Sequence, residues 1–178
     1  WLKKLYGVED YQTLNREAEQ LPPGSEGLIV QEHFQGNRTP HTDPLSRGVF
    51  HGLTLKHERA HLFRAVIEGV SFGSELILET MRNNGFIPDR IVMAGGATRS
   101  PLWLQIHADV SNLPLTITKV PDAPSLGCAI LAATGAGLFP DVSTAVEKMV
   151  QVDRLVEPNS EVHQQYQPFY ENYKETYH

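Results

Sequence analysis

The sequence has a single cysteine, Cys128, so no internal disulfide can form. That suits a reducing, cytoplasmic compartment and argues against a disulfide-stapled secreted scaffold. Long apolar runs are also missing. The least polar stretch, Gly127 to Phe139, is too short and too rich in Gly and Ala to span a bilayer. No Lys/Arg block occurs, and Lys+Arg 15 against Asp+Glu 21 leave a formal net charge of -6. A binder of nucleic acid or anionic lipid carries a basic face, so neither nucleic acid nor membrane is an expected partner. There is no basic-then-apolar leader. There is no initial Met either: the chain opens on Trp1-Leu2-Lys3-Lys4, which reads as the inside of a helix with something cut away ahead of it.

What is present describes a folded protein. Over 178 residues, 40% are hydrophobic and 20% charged, which is neither a disordered nor a membrane composition. The length suits one domain over residues 1–178, with a real core. The Asn37-Arg38-Thr39 sequon is expected to stay unmodified in a cytoplasmic protein.

Turn and cap signals divide the chain. Trp1 to Leu5 reads as a helix tail closed by Gly7, and Asp10 can cap a short polar helix over Tyr11 to Gln20. Pro22-Pro23-Gly24 interrupts the chain before a strand at Gly27 to Val30. Gln35 to Gly48 reads as an ordered loop, and Gly48 to Leu53 alternates like a strand. Apolar residues at helical spacing predict the longest helix from about His57 to Asn83. Gly69 and Gly73 lie inside it. Each costs about 1 kcal/mol against Ala, which close packing of another backbone can offset. Strand and helix then alternate: Arg90 to Ala94, Pro101 to Ser111, Leu115 to Thr118, Pro124 to Gly135 and Asp141 to Val150. An aromatic-rich helix closes the chain from Ser160 to His178. This alternation indicates an α/β fold.

The strongest local chemistry is Ala94-Gly95-Gly96-Ala97-Thr98-Arg99-Ser100-Pro101. A strand runs into two glycines, Ser100 stands at an N-cap position and Pro101 at the first helical position. Glycines let a ligand approach the backbone, and a helix N-terminus offers free N–H groups to an anion. On this pattern alone, a nucleotide site and a plain tight turn both stay open. No Lys follows the glycines, so it is not a Walker loop, and the spacing is not that of the dinucleotide fingerprint. Gln105 and Asp109 lie four apart on one helix face, able to brace the turn or meet a ligand. Gly127, Ala129, Ala132 and Ala133 form a small-residue surface suited to close helix packing, with Cys128 expected as a buried core residue.

His57-Glu58-Arg59-Ala60-His61 is a literal H-E-x-x-H, the zinc-peptidase pattern. The context is poor: Ile67 occupies the position of a third His, and Glu75 and Glu79 miss the spacing of a distant Glu ligand.

Longer stretches resemble a known family. Gly48-Val49-Phe50-His51-Gly52-Leu53, a spacer, then His61-Leu62-Phe63-Arg64-Ala65-Val66-Ile67-Glu68 resembles the second signature of the FGGY carbohydrate kinases. Arg38-Thr39-Pro40-His41 with Asp43-Pro44 resembles the loop before it. Gly95-Gly96-Ala97, Ser100, Trp103, Gln105 and Ala108-Asp109 resemble the family's ATP segment, and Leu126-Gly127-Cys128-Ala129 its Leu-Gly-Ala-Ala helix. The resemblance implies an actin-like ATPase (ribonuclease H-like) C-terminal domain, a mixed sheet flanked by helices. It also implies ATP with Mg²⁺, and a ketopentose such as xylulose or ribulose as the phosphate acceptor. Gly95, Gly96, Ala97 and Ser100 match nucleotide positions; Ser100 stands where glycerol kinases have a longer Asn. Trp103, Gln105 and Asp109 match structural positions.

By the same resemblance the general-base Asp would precede Trp1, so no catalytic residue and no metal ligand is expected within the chain. The N-terminal sugar-binding domain would be absent and the piece inactive alone. A homodimer is open for the full-length enzyme, and a non-catalytic nucleotide-binding or assembly domain is the alternative.

Overall fold

Local signals account for most element boundaries. The structure, a computed structural model, describes residues 1–8 and 10–177. Leu2–Leu5 forms a single turn (α1) and Tyr11–Glu19 a helix (α2). The Asp10 carboxylate caps α2, accepting the Thr13 N–H at 2.8 Å. A 3-10 turn over Ser25–Gly27 leads into strand Ile29–Gln31 (β1), and Val49–His51 (β2) pairs with it antiparallel, Val30 opposite Phe50. The long helix runs Arg59–Asn83 (α3).

Next come Ile91–Met93 (β3), a 3-10 turn Gly96–Arg99 and Pro101–Ser111 (α4). Leu115–Thr118 (β4), Ala123–Gly135 (α5) and Val142–Met149 (α6) follow. Val152–Val156 (β5) is a strand that the sequence reading lacks, and Ser160–Glu175 (α7) closes the fold. The expected end of that helix, His178, lies outside the described residues.

β3 and β4 run parallel, Val92 opposite Thr116, and β5 adds antiparallel to β4, Thr116 opposite Leu155. The expected mixed sheet is therefore present, with β1–β2 as a separate ladder. β5 escapes sequence reading because Val152-Asp153-Arg154-Leu155-Val156 does not alternate; its pairing with β4 makes it a strand.

α4 joins two cores. Leu102, Ile106 and Val110 face Phe63 and Ile67 of α3 and Tyr166 of α7. Leu104 and Ala108 face Leu115 and Ile117 of the sheet. Burial of each large apolar side chain is worth about 1.5–3 kcal/mol. Gly69 packs as expected: a Cβ there would strike the Val30 carbonyl of β1, so the bare helix lets the ladder close. A Cβ at Gly73 would instead strike the Glu32 carboxylate.

A buried polar knot ties these layers. Arg64 pairs with Glu68 at 2.8 Å, and Glu68 also accepts from the Gly24 N–H, the Ser25 hydroxyl and the Tyr166 hydroxyl. Arg64 donates further to the Ala18 carbonyl and the Tyr166 oxygen. Both charges are thus paired and hydrogen-bonded, the condition under which buried ions are tolerated.

One expectation fails on α5. Cys128 is exposed, not buried. Gly127 would have nothing within 4 Å of an added Cβ, so this position itself meets no close neighbour, although α5 packs on α6. Ile130 is the buried residue of this helix. Apolar composition marks a helix for burial but does not say which face is covered.

Candidate functional site

The double-glycine turn opens onto a cavity. Gly95 has φ +92°, a left-handed-side value that glycine adopts freely, and it redirects the chain from β3 into the 3-10 turn. Ser100 caps α4: its hydroxyl oxygen accepts the Trp103 N–H at 3.2 Å, and Pro101 fills the first turn. The expected cap geometry is therefore present.

Gly96, Ala97 and Ser100 line a cavity of about 760 Å³, a size that suits a small-molecule ligand. Gly95 shapes the turn but is not among the lining residues. Lys3, Asp10, Tyr11, Gln12 and Asn15 come from α1, α2 and their connection, with Phe63 and Ile67 of α3 and Arg99 and Trp103 completing the wall. An added Cβ at Gly95 or Gly96 would meet nothing within 4 Å. The backbone here faces open space, a cradle that side chains would fill, and this fits a nucleotide laid against it.

Charge is mixed in this cavity. Lys3 sits 5.4 Å from the Tyr11 ring centre, and Arg99 adds a second cation. The Thr13 N–H holds the Asp10 carboxyl below its usual range, so Asp10 is an anion at neutral pH. Ser100 also donates to Asn15 Oδ1 at 3.0 Å, joining the two walls. The α2 wall is what sequence reading missed: Asn15 and Ser100 are far apart in the chain, and nothing near Asn15 signals a site.

Other singled-out residues take structural roles. Gln105 Nε2 donates to Asp109 Oδ1 at 2.8 Å and to the Glu157 carbonyl, while Asp109 accepts the Asn159 N–H at 2.7 Å. They brace the link from β5 to α7, away from the cavity. The H-E-x-x-H is a capping device: the Glu58 N–H donates to His61 Nδ1 at 3.1 Å, and the Thr54 N–H donates to His57 Nδ1 at 3.0 Å. The carboxylate facing His61, Glu26, is held by Lys56 at 3.1 Å. No group of three potential metal ligands gathers among the described residues, and no helix among them is long and apolar enough to cross a membrane.

Comparison with known proteins adds a lineage. The model for the C-terminal domain of the FGGY family of carbohydrate kinases matches residues 3–136. A xylulose kinase of Staphylococcus epidermidis is 36% identical over 99% of this chain, which spans 36% of that protein. A ribulokinase of Bacillus licheniformis is 33% identical over 96% of the chain and 32% of its own length. The solved xylulose kinase of Lactobacillus acidophilus superposes with a TM-score of 0.86 at 30% identity, over 96% of this chain and 34% of that one. The chain thus spans about a third of the length of these relatives.

Proposed function

Since the chain belongs to the FGGY family of carbohydrate kinases, we propose that it is the ATP-binding C-terminal domain of a cytoplasmic pentulose kinase. The observation that carries this reading is the cavity at the double-glycine turn, where bare backbone at Gly96 faces open space beside the capped start of α4. The naming of relatives as xylulose kinase and ribulokinase supports a ketopentose as acceptor.

In this reading Gly96 and Ala97 lie against the nucleotide, Gly95 sets the turn, and Ser100 holds the helix start rather than reaching the ligand. Lys3 and Arg99 favour the anionic phosphates. Mg²⁺ carried with ATP would neutralise phosphate charge during transfer. The general base and the sugar contacts come from the rest of the kinase, and no residue of this chain is assigned as catalytic. A homodimer of the whole enzyme is compatible with this reading.

The test uses the whole kinase and the isolated chain with ATP, Mg²⁺ and a panel of pentuloses. The whole kinase should release ADP in the presence of one ketopentose, and the isolated chain should release none. Gly96→Val in the whole kinase should raise KM for ATP at least about tenfold, the loss expected of a backbone contact blocked by a side chain. ATP binding by the whole protein with no sugar-dependent ADP would favour a non-catalytic nucleotide-binding domain instead.

A further inference from the structure

The wall opposite the double-glycine turn carries a side chain with one end occupied and the other free. Asn15, half-buried on α2, accepts the Ser100 hydroxyl through Oδ1 at 3.0 Å. Ser100 at the same time accepts the Trp103 N–H. Ser100 thus joins the helix start to α2, its hydroxyl hydrogen directed at Asn15 Oδ1 and the amide nitrogen turned away from it. Asn15 Nδ2 makes no hydrogen bond to another described residue, and Asn15 lines the same cavity as Gly96 and Ala97.

A neutral, planar donor held in place by a partner suits the neutral part of a nucleotide. The charged side chains of the cavity, Lys3 and Arg99, suit its phosphates. The residue at position 100 cannot fill that role, because its hydroxyl is committed to the helix start and to Asn15. We propose that Asn15 contacts the nucleoside: oriented by Ser100, its Nδ2–H donates to the base or ribose of ATP lying on the Gly96–Ala97 backbone. α2 then supplies a recognition group from across the cavity. This rests on the nucleotide site proposed above.

Asn15→Asp separates orientation from contact, since it keeps the acceptor for Ser100 and removes the donor. Adenosine, which carries no phosphate charge, serves as the probe beside ATP, both measured on the whole kinase. N15D and N15A should each raise KM for ATP and the inhibition constant of adenosine by about 2–13-fold, the worth of one hydrogen bond. kcat and KM for the sugar should stay within about twofold, because a contact made equally in the ground and transition states affects binding and leaves the chemical step intact. Glu19→Ala, on the exposed outer face of α2, should change neither. Should N15D unfold, Asn15→Ser repeats the test with a side chain too short to cross the cavity.

Adenosine affinity unchanged in these variants, with Gly96→Val still impairing ATP, overturns the role of Asn15 alone. ATP affinity untouched by Gly96→Val overturns the nucleotide site, and the role of Asn15 with it.

Discussion

Two buried titratable side chains pull stability in opposite directions with pH. Burial pushes the Glu75 carboxyl up to about 7 despite its pairing with Arg82, and leaves Glu75 Oε2 without a partner. Its contribution is greatest below the ordinary value of 4.5 and is lost as pH rises through about 7. Burial pushes His107 down to about 4, against its hydrogen bond to the Trp103 carbonyl. Its contribution is present above 6.5 and is lost as pH falls through about 4. The two slopes overlap and partly cancel in mildly acidic solution. Denaturant unfolding across that range should therefore show Glu75→Gln making stability climb more steeply with pH, and His107→Gln making it fall. Unchanged slopes in both variants would refute this account. Nothing in the sequence marks either residue: Glu75 and His107 look like ordinary polar positions on helices until packing buries them.

At the scale of elements, the same residue type has opposite meanings in α3 and α5. Gly69→Ala would drive a methyl into the Val30 carbonyl, and overpacking of this kind costs about 1–3 kcal/mol. Gly127→Ala meets open space and should gain up to about 1 kcal/mol of helix propensity. Thermal unfolding of the two variants of the isolated chain should move in opposite directions; movement in the same direction would mean that α3 and β1 do not pack this closely. α7 shows a second device of this scale. Tyr166, Tyr170 and Tyr173 recur along one face, Tyr177 follows just past the helix end, and the four hydroxyls donate to Glu68, Glu79, Glu32 and Asp43. The periodic stripe was legible as a packed helix. Its four carboxylate partners were not, because they lie 91 to 141 residues away.

For the whole molecule, burial is uneven. The layers around α3 are closed by apolar packing and by the Arg64–Glu68 knot. The sheet is covered by α4 on one side, while Val92 and Leu155 are 61% and 58% exposed. α5 and α6 pack on each other, with Leu131 and Leu138 at 62% and 74% exposure. Apolar surface of this extent drives association in water. Sedimentation of the isolated chain should reveal concentration-dependent self-association, and Leu131→Gln with Leu138→Gln should reduce it. A strictly monomeric parent would show that this surface is tolerated in water.

Sequence alone determined the helices with clear caps and periodicity, α2 behind Asp10, α3 and α4 behind Ser100, because those signals act within a few residues. It also marked the double-glycine turn and the family signature around His61 to Glu68. Tertiary structure alone decided the rest. Strand β5 exists because β4 offers it backbone partners, and Cys128 is exposed because no described element covers its side of α5. The second wall of the candidate site forms because Asn15 meets Ser100 across the fold. Each depends on contacts between distant parts of the chain, and such contacts leave no local pattern to read.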